Sequence, residues 1–333
     1  TIAGTPQEAF EGTSYGRPII YDYRVLETES TPLTAQGYNT TGGESIVIVG
    51  KNFGYLLSKV QGVSYGMLSN QEFVLDTSTC DFKTTHTELR CPMAAGAGFD
   101  MSWQVIVDGQ ASVYPTSAYG QPTISGFSVD GSSVLQSSTS QLNTHGGQTV
   151  IIFGQNFGPV STFITEVTYG PYGKNYRARN CSISVPSVAI MCLTAPGVGQ
   201  NHRWTVSIRG QTNQHKTTDP LTSYALPKIL EIVPNFGSTK GGTEITVVGM
   251  HFGAVDVDSV PGVAVYMSGF SSQMLGCKEF EVRRGRDNPA KANPLTMMNN
   301  ETISFILPEY HTAGHEIKVA VGAEGCPVGT CPN

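Results

Sequence analysis

Long apolar runs are missing from this sequence. No stretch approaches the roughly 18 residues that a membrane-spanning helix needs, so any membrane anchor is expected outside this segment. Basic clusters are missing too. The densest is Arg283-Arg284-Gly285-Arg286, and the formal net charge is −6, which argues against a nucleic-acid partner, since that normally needs a clustered basic face. Charged residues make up only 14% of the chain, and Leu/Ala/Glu/Lys-rich stretches are absent, which excludes a helical bundle. Neither a leader segment nor an initiator Met opens the chain. With its start at Thr1 and its stop at Asn333, it is expected to be a piece of something longer.

Gly-x-Ser-x-Gly is absent, and the Gly-rich turns are followed by no helix, so neither a hydrolase elbow nor a phosphate-binding loop is indicated. His311 and His315 are four apart but lack the Glu of a metalloprotease helix and have Gly314 between them; they read as turn histidines. Asp256, Asp258 and Asp76 could join a calcium site, but alternating acids in a surface turn are more often solvated. No metal, no cofactor and no catalytic residue is expected, and the chain is read as a non-enzyme.

What is abundant is turn-former: 38 Gly and 19 Pro in 333 residues, the composition of short strands joined by tight turns. That length exceeds what one core usually serves, so two or three domains are expected. Internal repetition divides them. Thr41-Gly42-Gly43 followed by Glu44 to Val49 and Gly50-Lys51-Asn52-Phe53-Gly54 recurs as His145-Gly146-Gly147 through Gly154-Gln155-Asn156-Phe157-Gly158. It recurs again as Lys240-Gly241-Gly242 through Gly249-Met250-His251-Phe252-Gly253, at offsets of 104 and 95 residues. Tyr15-Gly16-Arg17-Pro18, Tyr119-Gly120-Gln121-Pro122 and Tyr224-Ala225-Leu226-Pro227 keep step, as do Val63 to Gly66, Val167 to Gly170 and, more loosely, Val263 to Tyr266. A late strand carries Trp103, Val105 and Val107, then Trp204, then Ile317. At a period of two its alternate residues face a core, which makes the two Trp residues core anchors rather than ligand platforms.

Units of about 100 residues with frequent turns read as antiparallel sandwiches of roughly seven strands. The Pro-x-Ile start, the Gly-Gly turn, the Val-rich strand and the Gly-x-Asn-Phe-Gly turn resemble the IPT/TIG family of immunoglobulin-like domains, from residue 17 to about 323. Repeat three departs by placing His251 where Asn stands and by inserting the polar segment from Arg283 to Pro294. The resemblance implies an all-β fold of three tandem immunoglobulin-like β-sandwiches in a rod. Residues 17–120, 121–225 and 226–323 form the repeats. Residues 1–16 are the tail of a preceding repeat or an exchanged strand, and 324–333 start a Cys-containing segment. Such domains occur in receptor ectodomains, in surface proteins and in some transcription factors, so the scaffold alone does not name a function.

Cys80 and Cys91 are 11 apart, as are Cys181 and Cys192 at the matching place. A repeated pair flanking a hairpin is a disulfide signature, and no four-ligand zinc spacing competes. In repeat three Phe305 falls where the partner of Cys277 would stand. Cys326 and Cys331 either pair with each other, or one of them takes Cys277. Three sequons, at Asn39, Asn180 and Asn300, join the paired cysteines in pointing to the secretory route and an extracellular or cell-surface location. Asn39 sits in an expected turn, whereas Asn180 adjoins a half-cystine and is expected to be hindered. Two function classes follow. One is a structural or adhesive stalk or filament subunit whose partners are further copies of itself or neighbouring repeats. The other is a receptor ectodomain for a protein or glycan ligand.

Overall fold

A computed structural model of the chain describes residues 14–25, 37–67, 70–112, 116–130, 141–253, 263–268, 296–299, 301–307 and 316–321. The chain divides into two compact units, Thr1–Gln121 and Pro122–Asn333. The described elements are strands and three short 3-10 turns.

In the first unit the strands are β1 (Ile19–Val25), β2 (Ser45–Lys51), β3 (Val60–Met67), β4 (Phe73–Leu75), β5 (Asp81–Thr84), β6 (Glu88–Pro92), β7 (Met101–Val107), β8 (Gln110–Ala111) and β9 (Thr116–Ser117). They form the sheets β1-β2-β6-β5 and β4-β3-β7-β8, with β9 also on β7. This is the two-sheet antiparallel arrangement of an immunoglobulin-like sandwich. The second unit repeats it with β10 (Thr123–Val129), β11 (Gln141–Leu142), β12 (Thr149–Gln155), β13 (Ile164–Gly170), β14 (Tyr176–Arg177), β15 (Arg179–Val185), β16 (Ala189–Leu193), β17 (Arg203–Ile208), β18 (Gln211–Thr212) and β19 (Ser223–Tyr224). Here the sheets are β10-β12-β16-β15 and β14-β13-β17-β18, and β11 lies parallel to β19. The same unit continues with β20 (Lys228–Val233), β21 (Glu244–Met250), β22 (Val263–Ser268), β23 (Thr296–Asn299), β24 (Thr302–Ile306) and β25 (Glu316–Val321), in sheets β20-β21-β24-β23 and β22-β25.

Alternation puts one face of each strand inside. Trp103 and Val105 are buried on β7, while Val107, at the strand's end, is only half-buried; on β17 Trp204, Val206 and Ile208 are all buried. Trp103 stacks on Tyr65 at 4.2 Å and Trp204 on Tyr169 at the same distance, so both Trp residues anchor cores. The loose match of repeat three is shifted, however. Met267, not Val265, lies opposite Ile317, as Tyr65 lies opposite Trp103. A two-residue slip keeps every side chain on its own face, so the sequence pattern could not detect it.

The Gly-x-Asn-Phe-Gly turn has a steric explanation. A Cβ on Gly154 would lie 1.8 Å from the Thr123 carbonyl oxygen and 2.5 Å from the Phe157 ring, so only Gly lets the first strand and the buried ring approach together. Asn52, Asn156 and His251 take φ of 67°, 64° and 64°. Asn and His are among the residues most often found in that left-handed region, which accounts for the His251 departure. Phe53, Phe157 and Phe252 are each fully buried.

The Gly-Gly turn allows a direct test. Gly146 and Gly147 have nearly equal φ, 71° and 73°. A Cβ on Gly146 would meet the Pro196 backbone nitrogen at 2.4 Å, whereas one on Gly147 meets nothing within 4 Å. Gly147→Ala should cost only the left-handed penalty of about 1–2 kcal/mol. Gly146→Ala should cost roughly 1–3 kcal/mol more through overpacking. Equal losses in urea unfolding would refute this account of the turn.

Candidate functional site

A buried, hydrogen-bonded tyrosine pair lies at one end of the core in each of the first two repeats. In the first unit the Tyr65 and Tyr119 hydroxyls are 2.6 Å apart and buried. Tyr119 donates to the Ala94 carbonyl at 3.0 Å. In the second, Tyr169 and Tyr224 meet at 2.6 Å, Tyr224 donates to the Ala195 carbonyl at 2.6 Å, and the Ala195 N–H donates to Tyr169 at 2.9 Å. Burial pushes the Tyr65 and Tyr169 hydroxyls up to about 12 and raises Tyr119 and Tyr224 further. They are neutral hydrogen-bonding posts, not acids or bases. Each pair grips the loop that follows β6 or β16, and the first Gly of the Gly-Gly turn packs on that loop.

Repeat two adds two polar groups to this cluster. Tyr176 stands across from Tyr169 where Phe73 stands across from Tyr65. Two residues before Trp204 lies His202, where Met101 precedes Trp103. Tyr176 donates to the Val198 carbonyl at 2.8 Å and accepts from the Val198 N–H at 3.2 Å. His202 is fully buried, and neither ring nitrogen is in good hydrogen-bond geometry.

The disulfides Cys80–Cys91 and Cys181–Cys192 bridge the hairpins ahead of this end, each with a separation of 11. Asp81 and Arg90 pair across β5 and β6 beside the first, and this bond holds the Asp81 carboxyl below its usual range. Phe305 faces Ile245 as Cys91 faces Ile46, so it occupies the second Cys position. Cys277, Cys326, Cys331, His311, His315, Asp256, Asp258 and Asn300 lie outside the described residues. Asp76 spends an oxygen on local capping of Ser78, through N–H at 2.9 Å and Oγ at 2.6 Å. Among the described residues no group of three or more His, Cys, Asp or Glu could hold a metal ion, and no helix is long and apolar enough to cross a membrane.

Asn39 is exposed, and its Oδ1 accepts from the Thr41 N–H at 3.0 Å. Asn143 makes the same turn with His145 at 3.0 Å without a sequon, so turn chemistry alone explains an Asn here. Asn180 is exposed at φ 50°. It lies with Cys181 where the β15–β16 register shifts between Arg179 and Ser182, a bulge that turns its side chain outward. The cluster that carries Tyr176 and His202 left no mark on the sequence reading beyond two residues that differ between aligned repeats.

Non-reducing peptide mapping of the native protein should recover Cys80 linked to Cys91 and Cys181 linked to Cys192. Opening either should cost about 3 kcal/mol on the chain-entropy estimate for a loop of this length. Free thiols at all four positions in material from an oxidising environment would contradict the assignment.

Comparison with known proteins places these features. The IPT/TIG domain model matches residues 133–224 and 227–274. Fibrocystin-L of Mus musculus is 25% identical over 259 residues, which is 75% of this chain and 5% of that protein. The chain therefore spans a small fraction of that relative. Among solved structures, the plexin A4 extracellular region aligns at 16% identity and TM-score 0.26, covering 97% of this chain and 25% of that one. The surface glycan-binding protein PbSGBP-B from Prevotella bryantii aligns at 14% identity and TM-score 0.33, covering 77% and 66%. Two segments of this chain, 133–224 and 227–274, are thus similar to IPT/TIG domains, and the first unit repeats their Gly-Gly and Gly-x-Asn-Phe-Gly turns and their two-sheet arrangement.

Proposed function

We propose that the chain is a non-catalytic segment of an extracellular structural or adhesive protein, whose repeats at 17–120, 121–225 and 226–323 stack as a stalk or filament subunit. On this reading residues 1–16 belong to a preceding repeat or exchange a strand with a neighbour, and 324–333 open a Cys-containing segment. The observation that carries it is the joint inside the second unit. Tyr224 ends β19 and Lys228 begins β20, so the connection is very short. The Gly253 turn of repeat three also abuts Val198 of repeat two, where an added Cβ would lie 2.6 Å from a Val198 methyl. A short connection with packed end loops limits bending. Two disulfides suit an oxidising compartment. IPT/TIG domains are typically non-catalytic, and the net charge of −6 speaks against a nucleic-acid partner. The favoured partners are further copies of this chain or neighbouring repeats.

The receptor reading draws on a different observation. Tyr55, Tyr172 and Phe236 are large exposed rings, the kind of side chain that anchors a protein or glycan ligand. Small-angle scattering over a concentration series, on the chain with and without residues 1–15, separates the two. A stalk or filament segment should give an extended particle that grows with concentration and loses that growth on truncation. A freely jointed monomer in both would favour the receptor.

Asn39 is the favoured glycan acceptor, with Asn180 and Asn300 as further candidates. Glycopeptide analysis of native material should find Asn39 occupied. Recovery of only unmodified Asn39 peptide would remove it.

A further inference from the structure

Three positions differ together between the first two repeats, and all three meet at one end of the second. Phe73, Met101 and Ala97 of the first repeat become Tyr176, His202 and Val198. Val198 is fully buried and is the residue on which the Gly253 turn rests. Its backbone is held on both polar groups by Tyr176. The Tyr176 ring in turn packs edge-on to His202 at 5.4 Å. The chain of contact therefore runs from His202 through Tyr176 to Val198 and on to repeat three.

His202 is an unusual tenant. Tyr169 on β13, Tyr176 on β14 and Tyr224 on β19 surround its ring edge-on at 6.2, 5.4 and 5.3 Å. A buried imidazole with neither nitrogen in good hydrogen-bond geometry carries a desolvation cost that is only partly offset, which the Met at the matching place in repeat one avoids. The groups that set its ionisation are burial, which lowers it, and the Gly199 and Val198 backbones, which partly restore it. Neither carbonyl is idle: Val198 already accepts from Tyr176 at 2.8 Å and Gly199 from the Tyr224 N–H at 2.9 Å. The facing tyrosines are themselves kept neutral by burial. Arg177 and Arg203 fall on the outer face by alternation.

We propose that His202 is a proton-operated latch on the joint between the second and third repeats. Neutral, it packs beneath the Val198 loop and holds the seat for Gly253. Protonated, it carries two N–H donors and a charge that the Val198 and Gly199 carbonyls, each already accepting one bond, only partly satisfy, so it draws in water and the loop opens. The joint then loosens while the rest of the sandwich stays folded. The inference is independent of the stalk reading, since a receptor ectodomain would carry the same joint.

The direction follows from linkage. The ionisation of His202 is lowered by burial from 6.5 to about 4, so an opened loop binds protons more readily than a closed one. Closure is at full strength above pH 6.5 and weakens as pH falls from there towards 4. At pH 5 the closed-to-open ratio should fall by up to about twenty-fold relative to pH 7. Hydrogen exchange on the whole chain tests this with a control in the same tube. After correction for intrinsic rates, protection of residues 195–199 and 250–253 should drop between pH 7 and 5, while 94–98 of repeat one, backed by Met101, should not. His202→Met should abolish the difference, and Tyr176→Phe should lower protection of 195–199 at both pH values. An equal response of both loops, or an unchanged response in a folded His202→Met protein, would overturn the latch. Should that variant fail to fold, titration of the His202 ring proton by NMR in the wild-type chain decides. A midpoint near 4 supports the latch and one near 6.5 refutes it.

Discussion

Two tyrosine hydroxyls buried 2.6 Å apart impose a constraint that the rest of each sandwich obeys. A phenol cannot be left unpaired in an apolar core without a cost of about 1–3 kcal/mol, so the pair must find acceptors, and the backbone after β6 or β16 supplies them. Meeting that need fixes the loop. The fixed loop leaves no space for a Cβ at Gly42 or Gly146, where one would lie 2.4 Å from loop backbone, and so dictates the Gly-Gly turn. The aromatic rings below the hydroxyls stack on Trp103 and Trp204, tying the polar end to the apolar centre. One network thus links the chain's first landmark motif, its tryptophans and the Tyr that closes each repeat.

Much of this was legible in the sequence, because repetition exposes positions under steric or packing constraint. Gly42, Asn52, Phe53 and Trp103 recur since each sits where backbone approach, a left-handed φ or core volume leaves little choice. Period two placed Trp103 and Trp204 inside, and the equal spacing of Cys80–Cys91 and Cys181–Cys192 signalled hairpins of one kind. What stayed hidden depends on register and depth. The two-residue slip that opposes Met267 to Ile317 preserves facing and so leaves no trace in a pattern of apolar residues. The exposure of Asn180 rests on a bulge between Arg179 and Ser182, and a bulge adds a residue without a composition signal. His202 resembles any strand histidine until its neighbours on three other strands are known.

The repeats also show how one scaffold separates fold from function. The hydroxyl pair and the Trp stack occur in both described tyrosine-bearing sandwiches, so they specify the fold and cannot distinguish the repeats. The third described core packs Ile245, Val247 and Ile303 with Phe252 and Phe305 and keeps the Gly-x-His-Phe-Gly turn. Individuality therefore has to reside where the scaffold leaves freedom, at surface turns and at the repeat ends.

At those ends the physical demands differ from those of an isolated domain. A loop that only closes its own sandwich can be backed by Phe73 and Met101, whose apolar side chains ask for no partners. A loop that also receives the next repeat must hold its shape against a second surface. Tyr176 does this by bonding both the N–H and the carbonyl of Val198, which a Phe cannot do. Stiffness gained in this way depends on polar groups in a dry core, where a hydrogen bond is strong and an unpaired group is costly. The same dryness makes the arrangement sensitive to charge. Placing an imidazole behind the bonding tyrosine couples the rigidity of the joint to proton concentration, whereas a Met there leaves the matching loop of repeat one insensitive. A tandem array can thus take its fold from shared residues and its mechanical response from a few that are not shared.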